Sequence, residues 1–320
     1  MNKTDTIRLN MLGLPVIRTM EDFSDITHIS KYTLFQLSKN ADKYYKTYNI
    51  PKKDGSSRTI SQPSKKLKGL QSWILVNILN QLKVSSSCKG FEKGLSIYEN
   101  ARPHIGANSI LTLDLKDFFP SITHKQIFSI YKAVGYNSLI SVILANICTY
   151  SGELPQGGPC SPKLANLVSW KLDVRIQGYV GKRGVNYTRY ADDLSFSGLN
   201  PLKVVQIIPM IKKIVEAENF LINPLKTRVS GLSKAKVVTG LTLYNDNIGV
   251  GKEKYKLIRA KIHELTSLKD PSNTKLLYEL GGWLAYLNSV NKKRFNKAKK
   301  YISGLKAKHP DSLIHKLLVI

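Results

Sequence analysis

The stretch Thr-Arg-Tyr-Ala-Asp-Asp-Leu-Ser-Phe-Ser, residues 188–197, places two carboxylates side by side between two strand-like runs. The pattern predicts strands at 185–190 and 194–196, with Ala191, Asp192 and Asp193 at their junction. Adjacent acidic side chains repel each other and are poor strand formers. A cation held by the carboxylates would explain the pair, and so would an ordinary turn on the surface.

A third acidic residue, Asp114, ends a predicted strand at 109–115 in which its neighbours are apolar. A charge there is costly unless a cation or hydrogen bonds compensate it. If the 185–196 hairpin pairs with this strand, we expect Asp114 and Asp192 to face each other across roughly 5 Å. Three carboxylates so placed suit two Mg²⁺ ions, which stabilise the attacking and leaving oxygens of a phosphoryl transfer. A bare Asp-Asp pair is more often a surface turn, so the surrounding sequence is needed to choose between a metal site and a turn.

The charge of the chain points to a polyanionic partner. The 320 residues include 49 Lys and Arg against 22 Asp and Glu, a formal net charge of +27, which favours nucleic acid. We expect no membrane partner, because the longest apolar stretch, 139–148, is too short to span a bilayer and contains Asn146. The N-terminus has no apolar signal core, and the three cysteines lack zinc-ligand spacing. We therefore expect a cytoplasmic protein.

Helical and strand patterns alternate along the chain and predict an α+β fold. Helices are expected at 20–47, with Ser30 as an N-cap, and at 67–82, 125–149 and 162–176. Asp54-Gly55 between short extended runs predicts a hairpin within 50–63. After Gly249 the chain becomes helical and very basic, which suggests a separate C-terminal subdomain.

These motifs, in this order, resemble the reverse transcriptases. Leu-Asp-Leu-Lys-Asp-Phe-Phe-Pro (113–120) and Leu-Pro-Gln-Gly (154–157) precede the Tyr-Ala-Asp-Asp hairpin, and Asn-Pro-Leu-Lys-Thr (223–227) follows it. The resemblance covers nearly the whole chain and implies a right-hand polymerase fold. Fingers and palm would occupy residues 1–250, with the catalytic Asp residues on an antiparallel palm sheet, and a basic helical thumb would occupy 251–320. It implies that Asp114, Asp192 and Asp193 bind two Mg²⁺ ions, Asp193 in a direct or a supporting role. Strand alternation points Asp117, three residues after Asp114, to the opposite face, so we interpret Asp117 as structural.

Two further motifs resemble the retron reverse transcriptases: Asn-Ala-Arg-Pro-His (100–104) and Val-Thr-Gly (238–240). This resemblance implies an enzyme that copies a partner noncoding RNA into single-stranded DNA, the msDNA, starting from an RNA 2′-OH. It also implies an accessory effector protein and a role in antiphage defence. Two alternatives remain: another bacterial reverse transcriptase of the group II intron type, or a scaffold that holds RNA and an effector.

Six residues are expected to contact the incoming deoxynucleoside triphosphate: Lys52, Arg58, Phe119, Gln156, Gly157 and Lys226. The two cations straddle the predicted turn and suit a triphosphate, although Lys53 could replace Lys52. In the family, the position of Phe119 packs under the sugar, where a ring would clash with a 2′-OH; a core aromatic is the alternative. Gly157 would allow close backbone approach to the template–nucleotide pair. Lys226 would neutralise the leaving pyrophosphate or act as a general acid, or be a plain surface lysine.

The template RNA and its DNA product are expected to contact seven residues: Asn100, His104, Val238, Thr239, Gly240, Lys254 and Arg259. For His104 this role rests on the retron resemblance, and a satisfied loop histidine is the alternative. In the C-terminal region, Lys and Arg alternate with aromatic residues, so that cations can bind the backbone and rings can stack on bases. Trp283 and Tyr286 are an exception, because neighbouring leucines favour a core position for both.

Overall fold

A computed structural model describes residues 3–51, 55, 57–268 and 274–318. Its helices are α1 (Lys3–Met11), α2 (Met20–Thr27), α3 (Lys31–Lys39), α4 (Lys65–Asn77), α5 (Ile97–Ala101), α6 (His124–Val134), α7 (Ser138–Cys148), α8 (Ser161–Val168), α9 (Trp170–Gly181), α10 (Pro201–Gln206), α11 (Ile208–Ala217), α12 (Lys252–Glu264), α13 (Thr274–Val290) and α14 (Lys292–Lys308). Its strands are β1 (Tyr45–Pro51), β2 (Ser57–Pro63), β3 (Ser109–Lys116), β4 (Asn186–Tyr190), β5 (Asp193–Gly198), β6 (Leu221–Ile222), β7 (Arg228–Ser230), β8 (Lys236–Val238), β9 (Leu241–Leu243) and β10 (Ile248–Gly249).

A five-stranded antiparallel sheet lies at the centre, in the order β4-β5-β3-β6, with β7 also paired to β3. Strand β3 is buried over most of its length because pairing on both edges encloses it. The predicted pairing of the hairpin with this strand is confirmed, but its register differs by one residue. Asp193, not Asp192, lies opposite Asp114. The reason is the two-residue turn, Ala191-Asp192, which leaves Asp192 just outside both strands.

The predicted hairpin near Gly55 is present as β1 paired with β2, from Tyr45 opposite Pro63 to Pro51 opposite Ser57. Gly55 has a φ of 82°, a left-handed conformation that suits glycine. Both Lys52 and Lys53 lie outside the described residues.

All four predicted helices are shorter than expected, and the one predicted at 67–82 is α4, which ends at Asn77. The chain between 20 and 47 forms α2, α3 and the start of β1, because His28 ends α2 in a left-handed conformation. Ser30 caps α3 as predicted, its side chain accepting from the Thr33 N–H. The 125–149 segment divides at Gly135 into α6 and α7, and the 162–176 segment divides at Ser169 into α8 and α9.

Two hydrophobic cores organise the chain. The first joins buried side chains between Leu9 and Phe220 around the central sheet. The second joins Ala101 and Ile110 to buried side chains between Val238 and Leu317, and so unites the small β8–β10 sheet with α12–α14. None of the helices that the structure describes is both long and apolar enough to cross a membrane.

Candidate active site

Three carboxylates meet where β3 and β5 end. Asp114 is 7% exposed on β3, opposite Asp193 at the start of β5. Asp192 occupies the turn, and its carbonyl accepts from the Leu115 N–H at 2.9 Å. Ala191 before it has a φ of 57°, which costs a residue other than glycine about 1–2 kcal/mol. The fold therefore holds a strained turn in place to bring these carboxylates together.

The acidic cluster carries electrostatic repulsion that neighbouring cations offset only in part. Burial first, and then the charges of Asp192 and Asp114, raise the pKa of Asp193 to about 6. Burial also raises the pKa of Asp192, and Asp114 adds to that effect. The charges of Lys226 and Arg58 act in the opposite direction on the pKa of Asp192. A cation bound among these groups would relieve both the desolvation and the repulsion.

Lys226 contacts the cluster directly, since its Nζ donates to Asp114 Oδ2 at 2.9 Å. This hydrogen bond is the largest cause of the raised pKa of Lys226. The side chain of Lys226 is 51% exposed whereas that of Asp114 is 10% exposed, so the ammonium reaches in from solvent. A metal bound to Asp114 would compete with this ammonium and release it towards the substrate.

The donor set suits a hard divalent cation. Within the described ranges, no group of three or more carboxylate, imidazole or thiol side chains is arranged to hold a metal ion. Magnesium seldom needs such a site, because it binds through one or two carboxylates together with substrate phosphates. The oxygen donors of Asp114, Asp192 and Asp193, with pKa values raised in two of them, therefore fit Mg²⁺ that arrives with a triphosphate.

Two of the predicted nucleotide contacts lie near the carboxylates. Arg58 is exposed on β2, and its charge lowers the pKa of Asp192, so it stands within electrostatic reach of the site. Phe119 is half-buried and meets Phe118 edge to face, with ring centroids 5.5 Å apart. Its ring therefore has a buried aromatic support and an accessible side, which combines features of the two predicted alternatives.

Gly157 makes a close backbone approach, but to a different partner from the one predicted. Its φ is 134°, and a Cβ there would stand 2.8 Å from the Ser61 carbonyl of β2. The Ser61 N–H donates to the Gln156 carbonyl at 2.8 Å. The Pro-Gln-Gly turn therefore packs against the β1–β2 hairpin and is hydrogen-bonded to it. Gln156 Oε1 is buried without a hydrogen-bond partner in the described part of the chain.

Asn100 and His104, both predicted to contact RNA, lie in the interior, where neither side chain is exposed in this conformation. His104 Nδ1 lies 2.7 Å from Ser197 Oγ and Nε2 lies 2.8 Å from Thr188 Oγ1. Burial lowers the pKa of His104 to about 4, so the imidazole is neutral at pH 7. Both ring nitrogens therefore have hydrogen-bond partners inside the protein, which favours the alternative of a satisfied histidine.

The Val-Thr-Gly segment joins the same internal junction. Val238 is fully buried in the second core, and the Asn100 side-chain amide donates to Thr239 Oγ1 at 3.4 Å. Thr239 and Gly240 have φ values of 45° and 78°, and Gly240 is exposed. The two retron-like motifs, 139 residues apart between Asn100 and Thr239, thus meet in space and connect the central sheet to the C-terminal core.

A buried ion pair beneath the catalytic turn was not anticipated from the sequence. Arg189 is fully buried and donates to both carboxylate oxygens of Asp173 at 2.8 Å. Its guanidinium also donates to Asn166 Oδ1 at 3.1 Å and to the Ala191 carbonyl at 3.2 Å. Removal of either charge would leave the other uncompensated. Two features of the sequence could have indicated this ion pair: an arginine directly before Tyr-Ala-Asp-Asp and an aspartate inside an apolar helix.

Cations and aromatic rings interleave on the C-terminal helices. Arg259 lies 4.6 Å from the Tyr301 ring centroid, Arg294 lies 4.6 Å from that of Tyr255, and Lys254 lies 5.9 Å from that of Tyr286. Lys254 and Arg259 are both exposed, as a nucleic-acid contact requires.

Trp283 and Tyr286 are partly buried against the second core, so the prediction of a core position is confirmed.

Comparisons with known proteins agree with this geometry. The family model described as reverse transcriptase (RNA-dependent DNA polymerase) matches residues 50–257. A retron Ec86 reverse transcriptase from Escherichia coli is 46% identical over 314 residues, 98% of this chain and 97% of that protein. A retron Mx65 reverse transcriptase from Myxococcus xanthus is 34% identical over 309 residues, 90% of this chain and 72% of that protein. A solved structure of telomerase from Candida albicans with the TWJ fragment of telomeric RNA gives a TM-score of 0.47 at 12% identity, covering 80% of this chain and 56% of that one.

The match to the family model begins near the end of β1 and covers β2, the central sheet and the carboxylate cluster, and the relatives extend the similarity to the C-terminal helices. The predicted α+β right-hand polymerase fold is confirmed by this membership. The chain therefore belongs to the reverse transcriptase family, as an RNA-directed DNA polymerase of the retron type.

Proposed function

We propose that the protein copies part of a partner noncoding RNA into single-stranded msDNA, starting from a 2′-OH of that RNA. The observation that supports the chemistry is the carboxylate cluster of Asp114, Asp192 and Asp193, in which the pKa values of Asp192 and Asp193 are raised. These three residues would hold two Mg²⁺ ions, which would stabilise charge on the attacking and leaving oxygens of the phosphoryl transfer. A purely RNA-binding scaffold has no use for such a cluster.

The side chains around the cluster have separate tasks in this proposal. Arg58, and Lys52 or Lys53 from the same hairpin, bind the triphosphate. Lys226, which donates to Asp114, would neutralise the departing pyrophosphate or supply a proton to it. Phe119 excludes a 2′-hydroxyl from the sugar site. The Gln156-Gly157 turn supports the template–nucleotide pair, with the free Gln156 Oε1 as a hydrogen-bond acceptor.

The RNA and its DNA product would bind along the basic C-terminal region. We assign residues 1–250 to fingers and palm and 251–320 to a helical thumb, whose exposed Lys254 and Arg259 contact phosphates. The turn at Thr239 and the exposed Gly240 would contact the RNA. Val238, Asn100 and His104 would fix that turn from inside, without RNA contacts of their own.

The remaining inferences rest on the retron type of this chain. We infer that the enzyme acts in the cytoplasm, where its RNA and deoxynucleotides are found. We also infer that an accessory effector protein binds the enzyme and its msDNA, and that the complex takes part in antiphage defence.

The linkage between RNA and DNA tests the priming proposal. The enzyme is coexpressed with its neighbouring noncoding RNA, and the new DNA is treated with ribonuclease and, separately, with a 2′,5′-debranching enzyme. Ribonuclease should leave a short RNA remnant on the DNA 5′ end, and debranching should remove it. DNA that starts from a free 3′ end or from a protein side chain would contradict 2′-OH priming.

A further inference from the structure

Phe91 stands in a loop that the fold holds rigidly beside the catalytic turn. The residue before it, Gly90, packs so closely that a Cβ would lie 2.7 Å from the Ala191 N. The Gly90 carbonyl accepts from the Asn166 side-chain amide at 2.8 Å. The residue after it, Glu92, forms a nearly buried ion pair with Lys163 at 2.7 Å. Both neighbours of Phe91 are therefore fixed.

The Phe91 ring itself is 45% exposed, although its neighbours are anchored. Its φ is 61°, a left-handed conformation that is unusual for a bulky residue other than glycine. Such strain persists only where the surrounding structure imposes it, and it concentrates at functional sites. The strained backbone at Phe91 lowers the stability of the fold, and it presents an aromatic ring to solvent.

Two other aromatic rings complete the surface around Phe91. The Phe119 centroid lies 6.2 Å from that of Phe91, and the Tyr190 centroid lies 6.5 Å away. Tyr190 directly precedes the strained Ala191 turn, and Phe119 follows the strand that carries Asp114. Three separate segments therefore bring half-buried or exposed rings together beside the Ala191-Asp192 turn.

We propose that Phe91 is a further nucleotide-binding residue, which packs with Phe119 against the sugar of the incoming deoxynucleotide and helps to reject ribose. The inference rests on the proposed contact between Phe119 and that sugar. An apolar wall of rings favours the 2′-methylene of deoxyribose through burial. A ribose 2′-hydroxyl against the same wall would lose its water without gaining a hydrogen-bond partner. Phe91 thus adds a desolvation penalty to the steric exclusion by Phe119.

The test uses the variants Phe91→Ala and Phe91→Gly in the full chain, with a primed RNA template. The kcat/KM ratio of a deoxynucleoside triphosphate to its ribonucleotide is measured for each. We expect both variants to lower this ratio about tenfold, equivalent to about 1.4 kcal/mol, and to raise KM for the deoxynucleotide more than they lower kcat. Phe91→Gly relieves the left-handed strain, so its melting temperature should not fall. Phe35→Ala removes a ring of similar exposure, 49%, from the α3 surface and should leave the ratio unchanged.

The outcomes separate this inference from the proposed function beneath it. If Phe119→Ala lowers the ratio but neither Phe91 variant does, the role of Phe91 is overturned and the sugar site at Phe119 stands. An equal rise of KM for both nucleotides would place Phe91 against the base or the phosphates and overturn its contact with the sugar. If Phe119→Ala also leaves the ratio unchanged, the sugar site itself is wrongly placed, and the inference fails with it.

Discussion

The metal-free enzyme should become more stable when one carboxylate of the acidic cluster loses its charge. The pKa of Asp193 is raised from 3.8 to about 6, chiefly by burial and then by the charges of Asp192 and Asp114. Between these two pH values the folded protein holds the proton more tightly than the unfolded chain does. The free energy of unfolding therefore falls as the pH rises through this window, and the charged carboxylate destabilises the fold at pH 8.

The size of the effect follows from the shift in pKa. At about 1.36 kcal/mol for each pKa unit, the full shift corresponds to an upper limit of about 3 kcal/mol at pH 8. Solvent around the partly exposed carboxylate reduces this to about 1–2 kcal/mol. At pH 5, near the middle of the window, about half of the difference should remain. The variant Asp193→Asn should thus unfold at a higher temperature than the wild type, by a few degrees at pH 8.

The assay is thermal and denaturant unfolding with a chelator present, at pH 5 and pH 8. Asp117→Asn is the matched control, because Asp117 is an exposed carboxylate whose φ of 47° also suits asparagine. Added Mg²⁺ should stabilise the wild type more than Asp193→Asn. Destabilisation of Asp193→Asn at pH 8, or a gain that does not depend on pH, would refute the electrostatic account of the cluster.

Three further predictions concern the scaffold and the RNA. Arg189→Met should cost about 3–5 kcal/mol in the free energy of unfolding, since it leaves Asp173 buried and unpaired, whereas the exposed control Arg183→Met should cost little. The imidazole of His104, with a pKa of about 4 against 6.5 when unfolded, should show no NMR titration between pH 5.5 and 8, and it should make the fold less stable as the pH falls below 6.5. RNA affinity should fall steeply with salt, with a log–log slope of roughly −0.7 to −0.9 for each neutralised phosphate; a flat profile would contradict an electrostatic grip.

The sequence predicted the structure best where the hydrophobic pattern and the chemistry of particular residues indicated the same element. The alternation around Asp114 and the Asp-Asp pair predicted the β3–β5 pairing, and Asp54-Gly55 predicted the β1–β2 hairpin. The register was missed by one residue, because the pattern does not show which residues of the hairpin form the turn. Helix breaks at Gly135 and Ser169 were missed because the apolar periodicity continues across them.

Side chains whose role depends on tertiary contacts could not be placed in advance. His104 is polar and lies in a loop-like stretch, and only its two hydroxyl partners from β4 and β5 explain its burial. Phe91 was overlooked because an isolated aromatic in a Gly-rich loop has no periodic signal. Its strained φ and its contacts with Phe119 and Tyr190 appear only in three dimensions.

The most direct test compares DNA synthesis and RNA binding by the wild type and Asp192→Asn on the same template RNA. The substitution removes one candidate metal ligand and leaves the basic C-terminal surface intact. We expect Asp192→Asn to bind the RNA with the wild-type affinity and to synthesise no DNA at any Mg²⁺ concentration. Normal polymerisation by the purified variant would contradict the assignment of catalysis to this carboxylate cluster.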